Sequence, residues 1–375
     1  MKTEKRKNYI ICVMFCGFLA LFFFMYLFWP KAEFSEKEKR YLQDMPTLSW
    51  STVISGEFGT KAEKAAADHM PWRDFFLWLN AEFDRAMNLQ STKDIYVGVD
   101  GRLFERPYRY DQAVIARNMK AINGFANKLE REVNLMLVPS AGYLLSEDIA
   151  GLSEPYIDDR LIDEAYTLAG ESTKPVRLLE CFQTQTDLAS LYYRGDHHWT
   201  SLGAYTACDY FLSTLGRDLP GKERYTVRKV DAFYGTTYSR ACFWNIAPES
   251  LELWDSGDQY TVQFSDKEGK FDSVFFPERL NEMDKYPVWL DGNHPLVIIN
   301  NQSEEAEGEL LIVRDSFGSC FAPFAAEEYE TVVLVDLRYY KLPVSQLFEQ
   351  WDFDDVLIMY YIGNFMNDTN LIWLS

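Results

Sequence analysis

Leu310-Leu311-Ile312-Val313-Arg314-Asp315-Ser316-Phe317-Gly318-Ser319 is the stretch that decides the fold. Its unbroken apolar start is too short for a typical helix and reads as a strand buried on both faces. Asp315 and Ser316 follow at once, and either is suited to cap the helix expected next. A strand that feeds directly into a helix is the repeating unit of an α/β sheet. In such sheets ligands bind beyond the carboxyl ends of the strands. Ser316 therefore stands where this architecture presents its chemistry.

The same rhythm extends in both directions. Upstream, Gln112 to Arg131 has helical apolar spacing, and Val133 to Val138 is a buried strand stopped by Pro139. Asp158 to Ala169 reads as helix, Val176 to Leu179 as strand, and Thr184 to Leu191 as helix. A further helix, capped by Thr200 or Ser201, runs to about Leu215. Downstream, strands are expected at Leu296–Ile299, Thr331–Val335 and Val356–Met359, with a helical stretch after Val344. Residues 220 to 295 break the pattern: alternating runs such as Tyr260-Thr261-Val262-Gln263-Phe264 predict an antiparallel, β-rich insertion. Ile95 to Phe104 reads as a hairpin turning at Asp100-Gly101. The expected fold class is α/β, a mostly parallel sheet flanked by helices.

The second informative segment is Gly195-Asp196-His197-His198-Trp199-Thr200-Ser201, which holds two of the chain's 4 histidines. A serine hydroxyl is a weak nucleophile near neutral pH. It needs an imidazole to take its proton and a carboxylate to hold that imidazole in one tautomer. Asp196 and a histidine from one loop, with Ser316 from a strand end, supply those parts. Taken singly, Ser316 is an ordinary helix cap and Asp-x-His an ordinary loop contact; only the combination suggests catalysis. Adjacent loop residues usually point apart, so one of His197 and His198 should reach Ser316. Asn364, just past Val356 to Tyr361, is a candidate oxyanion donor, although a turn asparagine is the simpler and favoured explanation. A metal bound by Asp196, His197 and His198 is the chemical rival. Three consecutive residues rarely give three ligands, and His69 and His294 have no helpful spacing, so no metal and no cofactor are expected.

Asp196-His197-His198-Trp199, then Arg314-Asp315-Ser316-Phe317 with Pro323-Phe324, then Asp336-Leu337-Arg338-Tyr339-Tyr340, resemble the DHHW family. Gly56-Glu57-Phe58 and Asp68-His69-Met70-Pro71-Trp72-Arg73-Asp74 resemble that family's leading region. The resemblance spans most of the chain apart from the N-terminal apolar run and residues 220 to 295. The family is similar to SGNH-hydrolase-like proteins that O-acetylate alginate and other exopolysaccharides, in which Asp-x-His also precedes the serine. The resemblance selects His198 over His197 as base and implies an SGNH-hydrolase-like fold with acetyl-ester chemistry. Ser316, His198 and Asp196 would be catalytic; Asn364, Arg338 and His197 would serve the substrate or the oxyanion. For Arg338, Tyr339 and Tyr340, packing beside the sheet is the favoured expectation over support of the site. The implied function is a carbohydrate O-acetyltransferase or acetylesterase acting on an extracellular polysaccharide or other glycan, with a membrane-bound O-acyltransferase as partner. The other class of reading is a catalytically weak glycan-binding or assembly protein of the cell envelope.

The N-terminus fixes an expected location. Residues 1–8 carry Lys2, Lys5, Arg6 and Lys7, and residues 9–29 form an uncharged apolar run. That length spans a bilayer, and the basic flank predicts a cytoplasmic N-terminus. No small-x-small cleavage site follows Trp29, so a single-pass membrane anchor is favoured over a cleaved signal. A juxtamembrane stalk with helices at about 30–90 then leads into an extracytoplasmic α/β domain at 91–375. The net charge of −20 repels nucleic acid and anionic headgroups. Cys181, Cys208, Cys242 and Cys320 are too widely spaced for a metal motif or a disulfide framework, leaving buried thiols or at most one bridge.

Overall fold

The computed structural model describes residues 2–87, 91–92, 94–149, 152 and 154–375. The chain forms two compact units, Met1–Leu89 with Cys242–Trp244, and Gln90–Ala241 with Asn245–Ser375.

The first unit is helical. Helix α1 (Lys2–Phe28) contains Arg6–Phe28, long and apolar enough to cross a membrane. The helix α2 (Trp50–Ile54) follows, then α3 (Glu57–Asp68) and α4 (Arg73–Ala86). The break between α3 and α4 falls at Pro71, which cannot continue a hydrogen-bonded helix.

The second unit is built on an eight-stranded sheet. Its strands in chain order are β1 (Val133–Val138), β2 (Thr173–Val176), β3 (Tyr260–Phe264), β4 (Lys267–Phe271), β5 (Leu296–Asn301), β6 (Glu309–Arg314), β7 (Thr331–Val335) and β8 (Asp355–Tyr361). Across the sheet the order is β4-β3-β5-β7-β6-β8-β1-β2. From β7 to β2 all pairings are parallel, with Ile312 opposite Leu334 on one side and Leu357 on the other. From β4 to β7 they are antiparallel. Strands β1 and β7 are buried along their whole length, as expected when helices cover both faces. Its helices include α5 (Gln112–Leu129), α6 (Asp158–Thr167), α7 (Leu178–Gln183), α8 (Ser201–Thr214), α9 (Gly318–Ala325) and α10 (Ile362–Asn367).

Several expectations need correction. Val176 ends its strand rather than starting it, and Leu178 and Leu179 open α7. The β2 segment is an edge strand, which tolerates Pro175, and both leucines turn inward to be buried. Thr184 to Leu191 is not a helix; Asp187 accepts from Ser190 N and caps a single 3-10 turn at Leu188–Leu191. The stretch after Val344 is likewise 3-10, Val344–Glu349. Residues 220 to 295 are only partly an insertion. Thr226–Phe233 pairs with Glu249–Asp255 as a separate ribbon, whereas β3 and β4 extend the main sheet. Tyr340 packs on the core as expected, but Tyr339 is exposed. Among the described residues no disulfide is formed, and Cys208, Cys242 and Cys320 are buried.

Candidate active site

Residues 192–200 form the loop between the Leu188–Leu191 turn and α8. It is irregular yet firmly held. Tyr192 and Trp199 face each other in an antiparallel bridge, and Thr200 caps α8 by accepting from Gly203 N at 3.2 Å. The buried Arg102 guanidinium donates to the carbonyls of Tyr192, Tyr193 and Ala189. Glu249 accepts from Arg194 N and Gly195 N. Trp199 is fully buried, its ring 5.2 Å from Phe317 and 6.1 Å from Phe321. The fourth residue of the motif is thus a core wedge, joining the loop to the turn that carries Ser316.

Within this frame Asp196 is saturated. Its Oδ1 accepts from His198 N at 2.8 Å and His198 Nδ1 at 2.5 Å. Its Oδ2 accepts from Thr236 N at 2.5 Å and Thr236 Oγ1 at 3.1 Å. Burial alone would raise this carboxyl's pKa, but the paired imidazole and these donors hold it below the usual carboxylate range. An ionised carboxylate only accepts, so His198 Nδ1 carries the hydrogen and Nε2 keeps a lone pair. That Nε2 lies 2.7 Å from Ser316 Oγ. The imidazole is stacked on Tyr286 at 3.9 Å and flanked by Phe317. Gly235 must stay small, because a Cβ there would sit 2.2 Å from Asp196 Cβ.

Ser316 follows β6, two residues before α9. Its position is set by Asp315, whose Oδ1 accepts from Phe317 N at 3.0 Å and whose Oδ2 accepts from Tyr361 N at 2.8 Å and Asn364 Nδ2 at 2.7 Å. One buried carboxylate therefore ties the ends of two neighbouring strands together. Arg314, also buried, bonds Asn293, Ser319 and the Asp315 carbonyl, and lies 3.7 Å from Asp336. Among the described residues the Ser316 backbone N–H takes part in no hydrogen bond, so it is free to donate to a developing oxyanion.

The remaining expected residues cluster here too. His197 lines the same cavity as Ser316, but its Nδ1 meets Thr236 Oγ1 at 2.9 Å rather than the serine. Burial, then the neighbouring His198, pushes its pKa down. Asn364 also lines the cavity, on α10 rather than in a turn; one of its N–H groups is engaged by Asp315. Arg338 lines it as well, fixed by bonds to both Asp336 oxygens. Asp196, His197 and His198 lie close enough together to share a cation. Such a cation would have to displace the donors already bound to Asp196.

The cavity measures about 910 Å³, room for a sugar-sized group. Its wall contains Glu105, which sequence reasoning missed. This carboxylate accepts from Tyr108 OH at 2.8 Å and Tyr361 OH at 3.3 Å and is paired with Arg240. Burial would raise its pKa, but His197 and Arg240 bring it below the usual value. The available signal was a carboxylate ending an otherwise apolar hairpin strand, Leu103-Phe104-Glu105. Thr236 and Tyr286, from the 220 to 295 region, were missed as well.

Residues 172–335 match the family model described as DHHW protein, and residues 95–237 match that of the SGNH hydrolase-like domain of acetyltransferase AlgX. The DHHW match runs straight through residues 220 to 295, which were expected to lie outside it; strands β3 and β4 and the Thr236 and Tyr286 contacts make that segment integral. No curated protein sequence matches. Among solved structures, a DHHW family protein from Eubacterium siraeum is similar at 21% identity with a TM-score of 0.65, covering 76% of this chain and 95% of that one. Bacillus cereus PatB1 is similar at 20% identity and a TM-score of 0.62, covering 73% of this chain and 97% of that one. PatB1 carrying a sulfonyl adduct gives the same identity and score, with 96% of that chain covered. From Asp196-His197-His198-Trp199 through Asp315-Ser316-Phe317, the chain is similar to the DHHW family model, and its mixed α/β fold is similar to those of the Eubacterium siraeum DHHW family protein and Bacillus cereus PatB1.

Proposed function

We propose that this protein is a carbohydrate O-acetyltransferase or acetylesterase that works through an acyl-enzyme on Ser316. The observation that carries the reading is the unbroken relay from Asp196 through His198 to Ser316 Oγ, opening onto a sugar-sized cavity. The match to the AlgX acetyltransferase model supports the same chemistry.

Ser316 Oγ attacks the ester carbonyl while its proton passes to His198 Nε2. Asp196 stabilises the resulting imidazolium. The oxyanion accepts from Ser316 N–H and, in this reading, from the second N–H of Asn364. As the tetrahedral species collapses, His198 returns the proton to the departing alcohol and Ser316 holds the acyl group. A sugar hydroxyl or water then gives its proton to His198 and attacks the acyl carbon; as the second tetrahedral species collapses, Ser316 Oγ departs and takes the proton back from His198, giving transfer with a sugar and hydrolysis with water. Helix α1 serves as a single-pass membrane anchor, with the basic N-terminus in the cytoplasm and the α/β unit outside, where exported glycan and a membrane-bound O-acyltransferase partner would be met.

A sulfonyl fluoride tests the nucleophile. Attack by Ser316 expels fluoride and leaves a sulfonyl ester on the serine, read by peptide mass. Labelling should occur at Ser316, and Ser316→Ala should lose both the label and acetate release from acetylated sugars, by several orders of magnitude. Labelling elsewhere, or near-native turnover by Ser316→Ala, would remove the reading. Protease shaving of whole cells separately tests the anchor and its orientation.

A further inference from the structure

Helix α4 has two unlike faces. At 100° per residue, Trp72, Phe75, Phe76, Leu79 and Phe83 fall within about a third of the circumference. Each is between 40% and 60% exposed. Ala81, the helix's buried residue, lies on the opposite side. The polar flank is held within the first unit, where Arg73 pairs with Glu38 and Asp74 with Lys37. A large aromatic stripe left open to water is unfavourable, and here it runs for about 17 Å from the N-cap Trp72 to Phe83.

The neighbours of this stripe name its occupant. The Trp72 ring lies 6.4 Å from Phe22 and 5.6 Å from Trp29, and the Phe76 ring lies 6.5 Å from Phe22. Phe22 is inside the apolar span and Trp29 just past its end. The stripe thus begins against the very segment that fits the hydrocarbon core and continues away from it. Trp72 holds a left-handed backbone (φ 54°), a cost a bulky residue bears only when its surroundings demand it, and its ring is what joins α4 to α1. Tryptophan at such a junction suits the membrane–water boundary.

We infer that α4 is an interfacial helix, lying along the bilayer surface with Trp72, Phe75, Phe76, Leu79 and Phe83 among the outer acyl chains and headgroups. The inference rests on α1 being a membrane anchor, the reading given above. The attraction is apolar, so it requires no anionic lipid; zwitterionic phosphatidylcholine suffices.

Site-directed spin labelling of the full-length protein in phosphatidylcholine vesicles tests this. Labels go singly at Leu79→Cys, Phe83→Cys, Arg85→Cys and Ala20→Cys, with Cys12, Cys16 and Cys181 replaced by alanine. Oxygen concentrates in lipid and a nickel chelate in water. Labels at 79 and 83 should collide more with oxygen than with nickel, and the label at 85 the reverse. The label at 20 reports the anchor. If 20 reads lipid while 79 and 83 read water, the anchor stands and the interfacial helix falls. If 79 and 83 are shielded from both reagents, a second copy or another protein covers the stripe and the inference is overturned. If 20 itself reads water, the anchor fails and the inference with it. Two labelled positions keep the test usable if one variant misfolds.

Discussion

Asp196 and Asp158 are equally buried, each 1% exposed, yet their surroundings drive them in opposite directions. Asp196 accepts four hydrogen bonds, two on each oxygen, and its pKa falls. Asp158, at the start of α6, accepts from Ser140 N on Oδ2, while its Oδ1 has no donor among the described residues. Burial pushes Asp158 up to about 6. Burial by itself therefore does not decide charge; a neighbouring imidazole and the donors around the carboxylate do. One carboxylate is prepared to stay ionised beside an imidazole, and the other sits where ionisation is a burden.

The largest expected effect is on the prepared side. Asp196→Asn should lower kcat by about four orders of magnitude, since an amide can hold His198 in the wrong tautomer. A steady-state assay with folding checked by circular dichroism would show it; a loss of less than tenfold would dissolve the contrast. On the same loop, His198→Ala should cost as much as Ser316→Ala and add little to it, whereas His197→Ala should keep far more activity, because only His198 bonds the serine. The reverse pattern would exchange their roles.

The other carboxylate should report through stability. Because the folded pKa of Asp158 lies above its unfolded value of 3.8, the folded state holds the proton more tightly. Its stabilising contribution is present below pH 3.8 and is lost as pH rises through about 6. Asp158→Asn should raise unfolding stability at pH 8 relative to pH 4 by about 3 kcal/mol compared with the parent, leaving turnover unchanged. Denaturant melts at both pH values would measure this. The sign is opposite for Asp196, whose contribution is present above its unfolded value and lost on acidification. The smallest effect belongs to Thr236→Val, which removes the hydroxyl bonds to Asp196 and His197 and leaves the backbone bond to Asp196; about 1 kcal/mol, or less than tenfold in kcat, is expected.

What the sequence could reveal follows from range. β6 and its serine were legible because a continuous apolar run and a helix start are local signals, and the loop because Asp196 and His198 are two residues apart. Asp315 looked like an ordinary cap; that it also bonds Tyr361 N and Asn364 depends on which strand lies beside β6, which periodicity does not state. Glu105, Thr236 and Tyr286 come from segments whose own patterns read as hairpin or insertion. The error at 176–191 was local: Val176-Arg177-Leu178-Leu179 was assigned to a strand when its second half belonged to α7.

His198 and Ser316 are 118 residues apart, and β6 lies between β7 and β8 in the interior of the sheet. A growing chain therefore completes its Asp-x-His loop long before the central strand and the serine exist. Non-local pairings of this kind form late and as a unit. On the proposed reading, nascent and truncated forms ending before β6 would lack the nucleophile and be chemically silent, so ester turnover would report that synthesis has passed β6 and the sheet has assembled.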